Sequence, residues 1–437
     1  MKKLVAILLT FMLVSGVLTG CKNTTVPATP SAPGTTPSAP GTTPSAPGTT
    51  PSAPGTSTTG ASKYHIGLVS MTASQMEDYV DAENAIVKEY GSVANGGMIE
   101  TVTLPDNFSS EVETVVSDIV SLSDDPLTKA IVVENAITGT AEAFREIRAK
   151  RPDILLFANA PEEDPNVIDP LGNVVVDADN ISRGYIIPHT AKQLGAKNLV
   201  FISFPRHMSI ELTTRGWNIM QQACKDLGMK SYFQTAPDPT SEVGVAGAQQ
   251  FILENVPAWI QKYGKDTAFY TTNFALAEPL LKQIMKYGGI YTEPDIPSPL
   301  IGYPGAFGID LKAEQGNWPA ILKKVEATVI ADGGSGRFGT WAYSATYALC
   351  VGLARYAKEC VDGTAKVANE KDLLSALEEM TPGASWKVMM YTDLNTQKTS
   401  PSHFLVYQDT YVFGKGYMGT TKIVVPQKYY TLKASAQ

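Results

Sequence analysis

From Lys63 onward the sequence repeats one rhythm: a short apolar run, a polar turn, then a stretch with helical period. Lys63–Ser70 reads as a strand, Gln75–Tyr90 as a helix, Met98–Leu104 as a strand and Ser109–Ser121 as a helix. Lys129–Val133, Asp153–Ala158 and Val174–Val176 continue the strands, with helices over Gly139–Lys150 and Ile181–Leu194, the last closed by Gly195. Strands alternating with helices imply a parallel sheet in a layered α/β fold. The rhythm then restarts. Strands are expected at Asn198–Phe204, Ser231–Thr235, Asp266–Thr271 and Leu300–Tyr303. Helices are expected at Ser209–Leu227, Gly244–Tyr263, Ala275–Tyr287, Trp318–Ile330, Thr340–Cys360 and Lys371–Met380, before a strand-rich tail from Trp386. Two successive halves predict two Rossmann-like α/β lobes with parallel sheets and a cleft between them. Residues 63–196, with part of 332–380 crossing back, would form the first lobe; 197–331 and 381–437 would form the second. Ligands in such sheets bind beyond the carboxyl ends of the strands, and that rule selects the candidate residues below.

The amino-terminal segment is of a different kind. Lys2 and Lys3 precede an apolar run from Leu4 to Val17, too short to span a bilayer and bounded by small residues. Leu18-Thr19-Gly20-Cys21 follows it and resembles the lipobox of bacterial lipoproteins. That resemblance implies cleavage of residues 1–20, diacylation of Cys21, and an extracytoplasmic chain held to the membrane by its lipid. Residues 21–62 are rich in Pro, Ser, Thr, Ala and Gly, with Pro-Ser-Ala-Pro-Gly-Thr-Thr starting at Pro30, Pro37 and Pro44 and a variant starting at Pro51. Such a stretch has no apolar surface to offset its ordering entropy. It reads as a tether that reaches up to about 100 Å if extended at roughly 3 Å per residue.

Loss of Lys2 and Lys3 with the signal takes the formal charge from −8 to −10. An acidic body without a basic stripe argues against nucleic acid as a partner. Beyond Cys21 the cysteines are Cys224, Cys350 and Cys360. The last two lie ten residues apart in one expected helix, too far along its axis to bridge. No disulfide framework, metal site or cofactor is expected. A hydrolase is disfavoured: Gly334-Ser335-Gly336 lacks the spacing of a nucleophile elbow, and His65, His189, His207 and His403 form no zinc motif. Gly333-Gly334-Ser335-Gly336 also lacks the context of a nucleotide-binding loop.

Several passages resemble the type I periplasmic binding proteins, the solute receptors of ABC importers. They are the opening strand Ile66-Gly67-Leu68-Val69-Ser70, the passage from Asp179-Asn180-Ile181-Ser182-Arg183-Gly184-Tyr185 to Ala191-Lys192-Gln193-Leu194-Gly195-Ala196-Lys197, and Thr271-Thr272-Asn273 before a helix. The third is similar to the Asn-Asp turn of sugar-binding members, with Phe274 in place of the aspartate. The resemblance spans Tyr64 to about Gln437, and its order of elements is more telling than any one motif. Within the group the chain looks most like the spirochaetal riboflavin-binding lipoproteins. The resemblance implies a monomeric, non-enzymatic receptor that passes a small ligand, flavin- or nucleoside-like, to an ABC permease. A sensory lipoprotein and a sugar receptor are the alternatives.

Candidate ligand-binding residues follow from strand ends. Ser70 and Met71, with Thr72, end the first strand and either meet a ligand or cap the next helix. Asn135 and Asn159 follow later strands, where an amide can donate and accept, or form an Asx turn. Phe204, Arg206 and His207 end the first strand of the second half: a ring to stack, a guanidinium to hold an oxygen, or a solvated helix start. Asn273 ends a later strand. Tyr303, Phe338 and Trp341 would line the cleft near a return crossing, although Trp341 serves equally as core. Asp177, Asp179 and Arg183 at the inter-lobe passage either bind ligand hydroxyls or fix the hinge.

Overall fold

A computed structural model describes residues 62–73 and 75–432. The signal, Cys21 and nearly all of the tether lie outside the described residues.

The strands are β1 (His65–Ser70), β2 (Ile99–Thr103), β3 (Thr128–Val133), β4 (Leu155–Asn159), β5 (Val174–Ala178), β6 (Asn198–Ser203), β7 (Lys230–Thr235), β8 (Thr267–Thr271), β9 (Gly339–Trp341), β10 (Trp386–Thr392), β11 (Thr399–Gln408), β12 (Thr410–Val412) and β13 (Gly416–Tyr417). The first lobe is built on a seven-stranded sheet in the order β10-β11-β5-β4-β3-β1-β2. All its pairings are parallel except β10 with β11. Its central strands are continuous apolar runs because helices cover both faces: Ala130, Ile131, Val132 and Val133 of β3 are buried to the last atom. Each such Val or Ile contributes about 1.5–3 kcal/mol of transfer free energy. The edge strand β2 leaves Glu100, Thr101 and Thr103 in solvent, which blunts an otherwise sticky edge.

The second lobe holds the parallel sheet β7-β6-β8 and the small sheet β13-β12-β9. Residues 290–291 join them, bridging Ala268 of β8 through Ile290 and Phe338 through Tyr291.

The chain passes between lobes three times. It leaves the first after β5 and enters helix Asn180–Gln193, whose start is capped by Asp179 accepting from Ser182 N at 2.7 Å. It returns after β9 into helix Ala345–Asp362, which packs on β3 and β4. It crosses again between β11 and β12, around Asp409.

Three expectations need correction. Trp386–Gln408 belongs to the first-lobe sheet and not to the second lobe, because β11 finds parallel partners in β5 (Phe404 opposite Val176). Leu300–Tyr303 is not a strand: Gly302 takes φ +77°, and Pro304 at the first turn starts helix Tyr303–Phe307. The helix expected from Thr340 begins at Ala345, capped by Ser344, because Gly339–Trp341 pairs with β12 instead.

Candidate functional site

Between the lobes lies a cavity of about 620 Å³ bordered by the carboxyl ends of strands from both sheets and by the crossing segments. The first lobe contributes Met71, Met76, Tyr79, Phe108, Asn135, Asn159 and Glu162; the second contributes Arg206, His207, Ile210, Thr272, Asn273 and Phe274. Asp177, Arg183, Asp295 and Leu349 close the hinge side.

Local structure explains how these side chains reach the cavity. β4 ends in Asn159, and the chain then turns sharply through Ala160, whose φ of +46° is unusual for a residue with a Cβ. Ala160 N still donates to Val176 O at 2.8 Å, so the turn is locked to β5. Asn159 Nδ2 donates to Glu134 O at 2.9 Å, while its Oδ1 is buried and finds no donor among the described residues. Glu134 itself is fully buried, and burial holds its carboxyl well above the usual range. Asp177, one residue past the β5 position opposite Asn159, accepts from Ala178 N at 2.6 Å. Burial pushes its carboxyl up to about 7, opposed by the nearby His403 and Arg183. Burial also raises Glu162 and Asp295. Asp295 accepts from the Tyr270 hydroxyl at 3.1 Å.

On the second lobe, His207 Nδ1 donates to Thr272 O, and burial lowers the ring's proton affinity. Arg206 is paired with Asp238 at 2.8 Å and lies over the Phe204 ring. Asn273 Oδ1 accepts from Ala275 N at 3.0 Å, capping the turn that follows β8.

The hinge is organised around Glu293, which is 1% exposed. Its Oε1 accepts from Arg183 Nε at 2.7 Å, and its Oε2 accepts from Trp341 Nε1 at 3.2 Å and Thr410 Oγ1 at 3.0 Å. Those three partners sit on the three crossings. Arg183 also donates to Asn180 Oδ1 and to the carbonyls of Pro294 and Asp295, each at 2.9 Å.

Six of the eleven sequence-selected residues border the cavity: Met71, Asn135, Asn159, Arg206, His207 and Asn273. The other five are placed elsewhere. Ser70 is buried, its hydroxyl donating to Met71 O at 3.4 Å. Phe204 is fully buried, its ring against His207 at 4.2 Å. Tyr303 and Phe338 are second-lobe core, Tyr303 donating to Gly339 O at 2.7 Å and packing on Phe413. Trp341 is buried at a crossing, against Trp386 at 5.6 Å. Phe204, Tyr303, Phe338 and Trp341 are large apolar groups on short strands or tight turns, and core burial claims them first. The aromatic wall comes instead from Tyr79, Phe108 and Phe274, which sequence reasoning did not select. Tyr79 and Phe108 sit in segments that read only as a helix and a loop start. Phe274 was visible as the residue after Asn273.

Among the described residues no cluster of three or more His, Cys, Asp or Glu is arranged to hold a metal. Cys224, Cys350 and Cys360 are free thiols, and among the described residues no helix is long and apolar enough to cross a membrane.

Residues 64–339 match the model of a family described as "Protein of unknown function (DUF3798)". The chain belongs to that family. A second family model covers residues 350–432. An uncharacterized protein of Treponema pallidum (strain Nichols) is 38% identical over 213 residues, which is 49% of this chain and 96% of the relative. A protein of Clostridium difficile 630, described provisionally as a transcriptional regulator, superposes with a TM-score of 0.67 at 22% identity, over 80% of this chain and 99% of its own. An ABC transporter solute-binding protein of Clostridium phytofermentas, solved with bound L-rhamnose, superposes with a TM-score of 0.47 at 11% identity, over 81% and 97% of the two chains. This member of the DUF3798 family has the type I periplasmic-binding-protein fold: two parallel α/β lobes, three crossings and a cleft at the strand ends.

Proposed function

We propose that the chain is a lipid-anchored extracytoplasmic receptor that closes its lobes on a small ligand and delivers it to an ABC importer. The observation that carries this reading is the cavity of about 620 Å³ with walls from both lobes and from the hinge. A ligand touching both walls favours the closed form by whatever contacts exist only there. The size suits a compact organic molecule. Tyr79, Phe108 and Phe274, with Met71 and Met76, offer flat and adaptable apolar surface. That favours a planar heterocycle, flavin- or nucleoside-like, over a small hydrophilic solute. The function proposed is binding and not catalysis: His207 and Arg206 are both tied to protein partners. The lipobox and tether support the anchored location, and a monomer suits a receptor held on a tether. A sugar is the second reading, favoured by the amide and carboxyl groups of Asn135, Asn159 and Asp177 at the strand ends.

The test is the full chain purified in detergent. Its absorption spectrum is recorded first, then its melting temperature with riboflavin, nucleosides and monosaccharides. A bound chromophore released on denaturation, or stabilisation approaching about 2.7 kcal/mol at a hundredfold excess over Kd, is the expected outcome. A colourless protein that no compound in the three classes stabilises would overturn the proposal.

A further inference from the structure

Three side chains that border the cavity from the second lobe, His207, Gln249 and Asn273, are anchored to one short stretch of backbone, Thr272–Ala275. His207 Nδ1 donates to Thr272 O. Gln249 Nε2 donates to Ala275 O at 3.0 Å, and Asn273 Oδ1 accepts from Ala275 N at 3.0 Å. In each bond the partner is a backbone group whose role cannot change: a carbonyl oxygen only accepts and an amide N–H only donates. The three bonds therefore fix the imidazole tautomer and both amide orientations, which bonds to hydroxyl groups would leave open.

The atoms left over have a fixed polarity. Gln249 keeps Oε1, an acceptor, and Asn273 keeps Nδ2, a donor. His207 keeps Nε2. Burial, the largest influence, lowers the ring's proton affinity; Asp295 opposes it, Arg206 adds to it, and Thr272 O and Asp238 oppose it, with the balance downward. A neutral imidazole already protonated at Nδ1 can only accept at Nε2. None of these three atoms has a hydrogen-bond partner among the described residues, and none is shut off from solvent. The wall thus offers a ligand two acceptors and one donor whose roles the protein has already set.

We infer that the ligand is an amino-substituted heterocycle of the aminopurine or aminopyrimidine kind, whose exocyclic amine donates to the His207 and Gln249 acceptors while the adjacent ring nitrogen accepts from Asn273 Nδ2. This inference rests on the receptor reading and narrows it. A lactam or imide edge, as in inosine, uridine or the flavin ring, has the opposite polarity: it turns carbonyl oxygens toward acceptors and an N–H toward a donor. Each mismatch leaves a polar group unpaired in a closed cleft, and sites that hydrogen-bond a ligand group discriminate strongly against analogues that cannot supply it. The aromatic and thioether walls would hold the ring faces, and the Thr272–Ala275 turn would read one edge.

Matched probes separate polarity from shape. Calorimetry on the full chain in detergent compares adenosine with inosine and cytidine with uridine, pairs in which an amine beside a ring nitrogen is exchanged for a carbonyl beside an N–H; riboflavin and monosaccharides are titrated alongside. The same titrations are run on Asn273→Asp, which keeps the oxygen that caps Ala275 N and loses the donor, and on Gln249→Met, which loses the acceptor, each first checked for a cooperative melt. The expected result is that at least one amino compound binds about tenfold or more tightly than its oxo partner, and that Asn273→Asp removes about that factor for the amino compound alone. An oxo partner, riboflavin or a sugar binding as tightly as the better amino compound would overturn the inference and leave the receptor reading standing. So would an equal loss for both members of a pair in Asn273→Asp, the mark of a cap that acts on the fold alone. Binding of none of these compounds would overturn both.

Discussion

At the residue scale the cavity wall works against the stability of the fold. Asp177 prefers its proton in the folded state, with a carboxyl at about 7 against an ordinary value near 3.8. Asp78, buried at the first turn of helix Glu77–Tyr90 with Ser344 donating to it, is raised to about 6. The unfolded chain gives up these protons earlier, so each group's favourable contribution is complete below pH ~4 and is lost as pH rises through the folded value. Asp177→Asn should therefore raise the melting temperature at pH 8 and change it little at pH 4. Thermal unfolding at the two pH values checks this; an equal shift at both would mean that burial is not the cause. Ala160 carries a related strain. Its φ of +46° costs a residue with a Cβ about 1–2 kcal/mol, while glycine loses about 0.5–1 kcal/mol in backbone entropy. Ala160→Gly should gain up to about 1 kcal/mol, read by denaturant unfolding. A loss of stability would show that the turn is unstrained. Asn135, Asn159, Arg206 and His207 were legible in the sequence because strand ends in an α/β lobe must face the cleft. Phe204, Tyr303, Phe338 and Trp341 misled because an aromatic residue near a turn looks the same in sequence whether it meets a ligand or the core. Only packing separates the two.

At the scale of elements, the pairing of helix Asn180–Gln193 with helix Glu211–Asp226 sets the second wall of the cleft. They meet backbone to backbone. A Cβ added to Gly216 would stand 2.9 Å from Asn180 O, and one added to Gly184 would stand 2.9 Å from both Gly216 O and Ile219 Cβ. Neither obstacle is the end of a flexible side chain, so the helices themselves would have to part. Gly216→Ala and Gly184→Ala should each destabilise by about 1–3 kcal/mol. Because they share one contact, the double variant should cost less than the sum. A strictly additive pair would show that the helices do not move as a unit. The helices and strands around this contact were readable from period and length alone, and their boundaries held to within a few residues over β1 to β8. Leu300–Tyr303 failed because four apolar or small residues carry no period, and the decisive signal was Gly302 before Tyr303-Pro304. The long apolar run from Thr340 failed for a tertiary reason: its first residues are claimed by pairing with β12, which lies about seventy positions away in sequence.

At the scale of the whole described body, two lobes were legible from the restart of the rhythm after Gly195, but their composition in sequence was not. β10 and β11 are strands by local pattern, and nothing local says which sheet they join; only the open edge of β5 decides it. The three crossings that result converge on Glu293, and here the largest single effect is expected. Both members of the Arg183–Glu293 pair are 1% exposed, so breaking it leaves a buried charge without compensation, which typically costs about 3–5 kcal/mol. Glu293→Gln preserves shape and an oxygen for Trp341 or Thr410, so it should fall at the lower end of that range. Arg183→Met should cost more, because it also strips donors from Asn180 and from the carbonyls of Pro294 and Asp295. Glu293 reaches one residue on each crossing, so its loss should act on the coupling of the lobes as well as on their stability. The expected signature is a denaturant transition that becomes broad or splits in two, with tryptophan fluorescence and far-ultraviolet circular dichroism no longer coincident. A single transition at an unchanged midpoint would mean that the backbone crossings alone join the lobes. A single transition shifted to lower denaturant would mean that Glu293 stabilises both lobes together without coupling them, and ligand closure would then owe its cooperativity to the cavity walls.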